Sequence, residues 1–278
     1  MGEWQFGFFG ETSQIHSLAV RAHIERPLAI SMDEWNIRHL APTEWGEPEP
    51  TADGGFSYPN TDTPIRTPRW RVNRHSPRTL ADALFYAGVF HAIHRASQLP
   101  VPVAMANTVN LINANGLINV RPDGIVTTPS YHVWDLYQNH FGTIPVNVDV
   151  RCGSRWSRAR LSSDQQLPDR SLRTMPTTVP DLDVSAALTT DRARLTVAVI
   201  NRTRGDDIRT RLEFGRHTDL PRIATVRTLG AGEDDVFATN TLQDPQRITL
   251  GPAQRIELLD RSWTCPAHSI SLLTFDLA

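Results

Sequence analysis

The sequence contains no lysine: all 28 of its basic side chains are arginine. That absence excludes a Schiff-base lysine, pyridoxal-phosphate chemistry and the lysine of a Walker phosphate loop within this chain. Glutamate is scarce too, at 10 residues against 20 aspartates, with seven before residue 50 and the next at Glu213. Carboxylate chemistry that needs a Glu therefore has few places to sit. The two cysteines, Cys152 and Cys265, belong to no C-x-x-C or Cys/His cluster and read as isolated thiols. No apolar run reaches the ~18 residues of a membrane span, and Met1-Gly2-Glu3-Trp4 lacks the basic stretch and apolar core of a signal peptide. A net charge of −2 gives no electrostatic reason to bind nucleic acid or an anionic membrane.

What is present is the composition of a globular protein, 40% hydrophobic and 21% charged, long enough for one large domain or two ordinary ones. The pattern changes near residue 143. Before it, apolar runs alternate with helix-like segments. Leu28 to Met32 reads as a buried parallel strand entering Asp33-Glu34-Trp35-Asn36. Residues 41–75, rich in Pro, Thr and Glu, read as a long surface loop. Ser76-Pro77 offers a helix start, with Thr79 and Asp82 a second, weaker signal, and the helix runs to about Ser97. Val101 to Asn107 is the next strand; a looping stretch with Asn113, Asn115, Gly116 and Gly124 leads to a helix from Ser130 to His140. Strand, helix, strand, helix implies parallel strands with crossover connections.

From Ile144 onward the sequence becomes a series of short strand-like runs. Candidates are Asp183–Leu188, Leu195–Ile200, Ile208–Phe214, Ile223–Leu229, Arg255–Leu259 and Ile270–Phe275, which together argue for an antiparallel sandwich. The arginine-rich stretch from Arg151 to Arg173 reads as a solvated crossover ahead of a polyanion site.

The most suggestive chemistry is Asp33-Glu34-Trp35-Asn36 at a strand end. In barrels of alternating strands and helices, catalytic residues occupy the C-terminal ends of strands. A Glu there can attack or stabilise an oxocarbenium-like centre while a neighbouring ring packs on a sugar's C–H face. A strand-end acid that caps a loop or pairs with an arginine explains the same residues. Asn107 ends the following strand in the same way, and amides suit sugar hydroxyls, although Asn also favours loops. His91 and His94 have i, i+3 spacing but no acid at ligand spacing, which speaks against a metal. Gly230-Ala231-Gly232 opens no helix with a third glycine, so it is not a dinucleotide loop, and no G-x-S-x-G elbow is present.

Ile30-Ser31-Met32-Asp33-Glu34-Trp35-Asn36 closely resembles the D-E-W-N strand of the α-L-arabinofuranosidases of glycoside hydrolase family 51. The similarity continues in order through Leu80-Ala81-Asp82-Ala83-Leu84, Asn107-Thr108-Val109-Asn110 and Tyr131-His132. It resumes with Asp183-Val184-Ser185-Ala186, Val199-Ile200-Asn201-Arg202, Ala238-Thr239-Asn240-Thr241 and His268-Ser269-Ile270. The resemblance implies an incomplete (β/α)8 barrel over residues 1–143, beginning near the sixth helix (Ser13 to Arg26) and the seventh strand. An antiparallel β-sandwich over 144–278 follows it. It implies a retaining, exo-acting enzyme releasing α-L-arabinofuranosyl groups from arabinan, arabinoxylan and arabino-oligosaccharides. Glu34 would be the nucleophile, Trp35 and Asn107 would bind substrate, and Asp33 and Asn36 would support them. Asn107 stands where the family carries a Gln.

A complete barrel needs about 250 residues, and the family's acid/base lies in an Asn-Glu pair that this sequence lacks. The chain therefore reads as a fragment without the acid/base half of the site, inactive or nearly so by itself. No cofactor and no metal are implied, and arabinose-containing saccharides are the expected partners. A homo-oligomer or a complementing N-terminal barrel fragment would fill the missing side, and a cytoplasmic location fits the family. The alternative is a non-catalytic carbohydrate-binding module or a structural remnant.

Overall fold

The computed structural model describes residues 15–37, 49–50, 56–58, 61–65, 78–114, 116–160, 174–215, 221–230, 232–233 and 235–277. A first helix, α1, covers 15–21, within the expected helix from Ser13 to Arg26. Strand β1 (Ile30–Trp35) follows, then β2 (Glu49–Pro50), β3 (Phe56–Tyr58) and β4 (Thr61–Ile65) in a small antiparallel sheet. That sheet lies inside the segment read as a loop, the rest of which falls outside the described residues. Next come α2 (Leu80–Ala96), β5 (Val103–Thr108), the hairpin β6 (Ile118–Arg121) and β7 (Gly124–Thr127), and α3 (Pro129–Asp135). A π turn over Leu136–His140 extends α3, so the expected helix from Ser130 to His140 is present but widens halfway. Strands β8 (Ile144–Val146), β9 (Ser154–Arg160), β10 (Thr174–Pro180), β11 (Leu182–Leu188), β12 (Arg194–Asn201), β13 (Ile208–Arg211), β14 (Ile223–Leu229), β15 (Gln254–Glu257), β16 (Ser262–Cys265) and β17 (Ser269–Asp276) complete the chain.

Helix α2 starts at Thr79, not at Ser76. The Thr79 backbone N–H donates to Asp82 Oδ2 at 2.9 Å while Asp82 N–H donates to Thr79 Oγ1 at 3.3 Å. This reciprocal box satisfies two orphan donors, which a Ser-Pro start does not. The loop over 236–238 takes two more, through Leu80 N–H to Ala238 O and Ala81 N–H to Val236 O, each at 2.9 Å. Twelve of the 17 residues of α2 are buried, so it is a helix covered on both sides rather than a surface amphipath. One side packs on β1 and β5, which pair in parallel; Ala92, Ala96 and Val103 cluster there with Ile30 and Met32.

The other side of α2 lies on a six-stranded antiparallel sheet ordered β15-β14-β17-β12-β11-β8. Central β12 is buried at seven of its eight positions because both faces are covered. Ala198 and Ile200 join Ile270, Leu272 and Leu229 beneath α2 and α3. Leu195, Val197 and Val199 face the opposite way, with Leu273 and Phe275, against a layer contributed by the β13–β16 ribbon, Leu212 and Phe214. This is why Leu195–Ile200 reads as a continuous apolar run rather than an alternating one. The sheet begins at Ile144, directly after the boundary drawn at 143/144, yet one hydrophobic core spans both sides of that boundary.

Two further segments differ from their sequence reading. Residues 118–127 form a hairpin rather than a looping stretch, the Ile118-Asn119-Val120 and Ile125-Val126 runs pairing across Pro122-Asp123. The arginine-rich crossover contains a strand, β9, which pairs antiparallel with β10 just beyond it, so a basic composition did not preclude strand pairing.

A buried ionic cluster joins helix to sheet. Asp183 of β11, 6% exposed, lies 3.0 Å from Arg95 Nη1 and 3.2 Å from His91 Nδ1 and also pairs with Arg202. His91 Nε2 is 2.6 Å from the Tyr137 hydroxyl, and His94 Nδ1 is 3.0 Å from Ser185 Oγ. Burial alone would raise the Asp183 carboxyl; His91, Arg202 and Arg95 outweigh it and hold it well below the usual range. Burial, with His91 and Arg95 nearby, pushes His94 down to about 3.

Below the ordinary histidine pKa of ~6.5 the unfolded chain binds a proton at residue 94 that the folded chain refuses until about pH 3. Stability should therefore fall as pH drops through that window, by about 1.4 kcal/mol per pH unit for each such group. The Asp183 contribution is complete above its unfolded value of ~3.9 and is lost as pH falls below it. Urea melts of His94→Gln between pH 7 and pH 4 should show an acid limb shallower by close to one proton. An unchanged limb would contradict the assignment.

Candidate functional site

Parallel pairing places the C-terminal ends of β1 and β5 side by side, with Trp35 opposite Thr108. Trp35 O accepts from Thr108 Oγ1 and from Val109 N–H, both at 3.1 Å, which locks the two strand ends together. The register shifts between Met32 and Trp35. Met32 and Trp35 both reach the core under α2, while Asp33 and Glu34 between them are exposed. A local irregularity of this kind re-aims side chains at a strand end. Glu34 neighbours inward-facing Trp35 and so stands on the face away from α2. Asn107 is likewise exposed and follows Ala106, which packs on the core, so it shares that face. Asp33 accepts a hydrogen bond from Ser31 Oγ at 2.6 Å. Among the described residues Glu34 has no ion-pair partner.

Trp35 does not meet its expectation as a sugar-stacking ring. Only 3% of it is exposed. Its indole lies 4.9 Å from Tyr86, edge-on to Phe90 at 5.9 Å and stacked on Trp134 at 6.1 Å. With α2 and α3 covering that side of β1, both faces of the ring are occupied by protein, and burying it stabilises the layer.

Asn36 anchors the strand end. Its Nδ2 donates to Val109 O, and its Oδ1 accepts from Ile37 N–H at 2.7 Å, Arg78 Nη2 at 2.9 Å and the Tyr86 hydroxyl. Arg78 is 2% exposed and also donates to Ile37 O at 2.8 Å, and its own carbonyl accepts from Thr239 Oγ1 at 2.6 Å. Burial lowers the pKa of Arg78, an effect opposed by Asp82, and burial raises that of Tyr86. At neutral pH the guanidinium is charged and the phenol neutral, which are the forms the clamp needs. Sequence reasoning missed Arg78 and Tyr86. The one signal was an arginine immediately before the helix cap, a position where a surface residue is the ordinary expectation.

No group of three or more His, Cys, Asp or Glu among the described residues is placed to hold a metal. His91 and His94 serve the helix–sheet cluster instead. Among the described residues no helix is long and apolar enough to cross a membrane. Cys152 and Cys265 are free thiols.

The sequence profile described as "Alpha-L-arabinofuranosidase C-terminal domain" matches residues 33–269. A crystal structure of an α-L-arabinofuranosidase from Thermotoga maritima, an arabinose complex, aligns with 97% of this chain and 47% of its own, with a TM-score of 0.68 and 24% identity. The thermostable GH51 α-L-arabinofuranosidase from Thermotoga petrophila RKU-1 aligns with 88% of this chain and 43% of its own, at a TM-score of 0.63 and 25% identity. A family 51 α-L-arabinofuranosidase from Bifidobacterium longum aligns with 98% and 48%, at 0.63 and 15%. The chain thus spans less than half the length of each of these structures. No curated protein matches the sequence.

The two adjacent residues should respond oppositely to substitution. Trp35→Ala should cost about 3–5 kcal/mol of stability by emptying an aromatic core site. Glu34→Gln should change stability by no more than about 0.5 kcal/mol. Denaturant titration of both variants checks this, and a stable Trp35→Ala chain would contradict the buried placement.

Proposed function

The chain belongs to the α-L-arabinofuranosidase C-terminal domain family, and we propose that it carries the nucleophile side of a retaining, exo-acting α-L-arabinofuranosidase site. The observation that supports this is the exposed carboxylate of Glu34 at the C-terminal end of a strand parallel to its neighbour, on the face away from the helices. That is where strand-and-helix barrels keep their catalytic groups. In this reading residues 1–143 are the last units of an incomplete (β/α)8 barrel, and 144–278 are the sandwich behind it. The outer edges of the β1–β5 pair, which carry no further strand among the described residues, are where the missing strands pair. Those strands come from a preceding segment, a complementing fragment or a second copy.

Retaining hydrolysis uses two carboxyl groups about 5–5.5 Å apart. A Glu34 oxygen attacks the anomeric carbon; the bond to the leaving oxygen breaks as the second carboxyl gives that oxygen its proton. Water then cleaves the arabinosyl–Glu34 ester, losing its proton to the same second group. Asn107 hydrogen-bonds sugar hydroxyls, and Asp33 and Asn36 hold the strand end. Trp35 contributes from beneath, by packing. No Asn-Glu dipeptide occurs in this sequence, and the acid/base is assigned to the missing strands. The substrates are arabinose-containing oligosaccharides and polysaccharides, and the location is the cytoplasm.

An aryl arabinofuranoside with a very good leaving group needs little protonation and so tests the nucleophile alone. Intact-mass measurement should show one arabinosyl group added slowly to the wild-type chain and none to Glu34→Gln. Natural arabino-oligosaccharides should be turned over scarcely at all. Robust turnover that survives Glu34→Gln would overturn both the nucleophile assignment and the fragment reading. A chain that is never labelled would favour a carbohydrate-binding or structural role.

A further inference from the structure

On the face of the six-stranded sheet away from α2, the two layers of the sandwich leave a cleft of about 350 Å³. That volume is at the small end of the ~300–1,000 Å³ typical of small-molecule sites. β14 contributes Thr228 and β15 Gln254; β16 contributes half-buried Trp263, and the loops contribute Glu233 and Arg247. The last two form a two-pronged pair, Arg247 Nε to Glu233 Oε2 at 2.8 Å and Nη2 to Oε1 at 3.1 Å. Asp235 N–H donates to Glu233 Oε1 at 3.0 Å, and Asp235 Oδ2 lies 3.8 Å from Arg247. The fork is therefore held in place before any ligand arrives.

The charges and polar groups narrow the ligand class. The lining carries one carboxylate, Glu233, already paired two-pronged with its one guanidinium, Arg247, so no uncompensated positive charge is left for phosphate, sulfate or a carboxylate ligand. A purely apolar ligand would strip water from Glu233, Arg247 and Gln254 and return no hydrogen bonds. A sugar ring meets both demands. Its C–H face packs on an indole, and its hydroxyls donate and accept at once, so one hydroxyl can bridge carboxylate and guanidinium.

We infer that this cleft binds a neutral sugar unit of a glycan chain, at a place separate from the Glu34 face. The inference stands whether or not Glu34 is a nucleophile. Calorimetric titration of the full chain carrying Glu34→Gln with arabinopentaose, xylopentaose and cellopentaose, each in its own arm, tests it and distinguishes pentose from hexose. At least one should bind. Trp263→Ala and Arg247→Ala should each weaken that binding about tenfold. Gln254→Ala should weaken it about threefold; because Gln254 is exposed, that variant keeps its fold even if Trp263→Ala does not. Inorganic phosphate should not compete. No binding by any of the three, or binding unchanged in Arg247→Ala and Gln254→Ala, would overturn the site. So would binding weakened only by Asn107→Ala. Arabinosylation of Glu34 in the wild-type background should be unaffected by Arg247→Ala, so failure of either reading is visible without the other.

Discussion

The carboxylate of Asp183 is the charge on which the layering of this protein depends. It sits on β11, faces α2 and is almost wholly buried, a placement that would be strongly unfavourable without partners. Its partners come from separate elements: His91 and Arg95 from α2, and Arg202 from the turn after β12. Removing any one leaves a buried charge undercompensated, so helix and sheet hold each other in one relative position. The cluster continues into the helix layer. His91 meets the Tyr137 hydroxyl, Tyr137 stacks on Phe90 with ring centroids 4.7 Å apart, and Phe90 and Trp134 enclose Trp35. Each link is a contact between large groups in a dense interior, where small displacements are resisted.

Much of this layering was legible in the sequence. The run through Leu84, Tyr86 and Phe90 marks a helix, and Leu195-Thr196-Val197-Ala198-Val199-Ile200 marks a strand. The sequence reading put both Glu34 and Trp35 at the sugar site, because a period of two is silent about which side of a strand the helices cover. Sugar chemistry made an exposed ring attractive, and packing decided otherwise. The same limit applies to Asn201 and Asn240, whose tetrapeptides carry the family resemblance. Asn201 Nδ2 donates to Asp206 O at 2.9 Å and Cys265 O at 3.1 Å. Asn240 donates to Thr127 O and Ile248 O, both at 2.9 Å, and accepts from Ile248 N–H at 2.7 Å. These amides satisfy backbone groups brought together by folding, a role that sequence spacing cannot display.

The buried and exposed sides of β1 divide the work that the proposed chemistry requires. A nucleophile must be held to a fraction of an ångström while remaining open to substrate, and a flexible strand end cannot do that. Here the residues that fix the backbone, Trp35 and Asn36, point into or along the core and are gripped by Tyr86, Arg78 and the Val109 carbonyl. Among the described residues Glu34 has no ion-pair partner that would have to be broken before it reacts. The same contacts tie Trp35 and Asn36 of the motif into one packed unit. Loss of Arg78 would take one of three donors from the half-buried Asn36 oxygen, and loss of Asn36 would take an acceptor from the buried Arg78 guanidinium. A chain that had lost all use for Glu34 would still need Trp35 and Asn36 to close its core. The identity of residue 34 itself is therefore what carries information about chemistry, since the fold around it makes no demand for a carboxylate there.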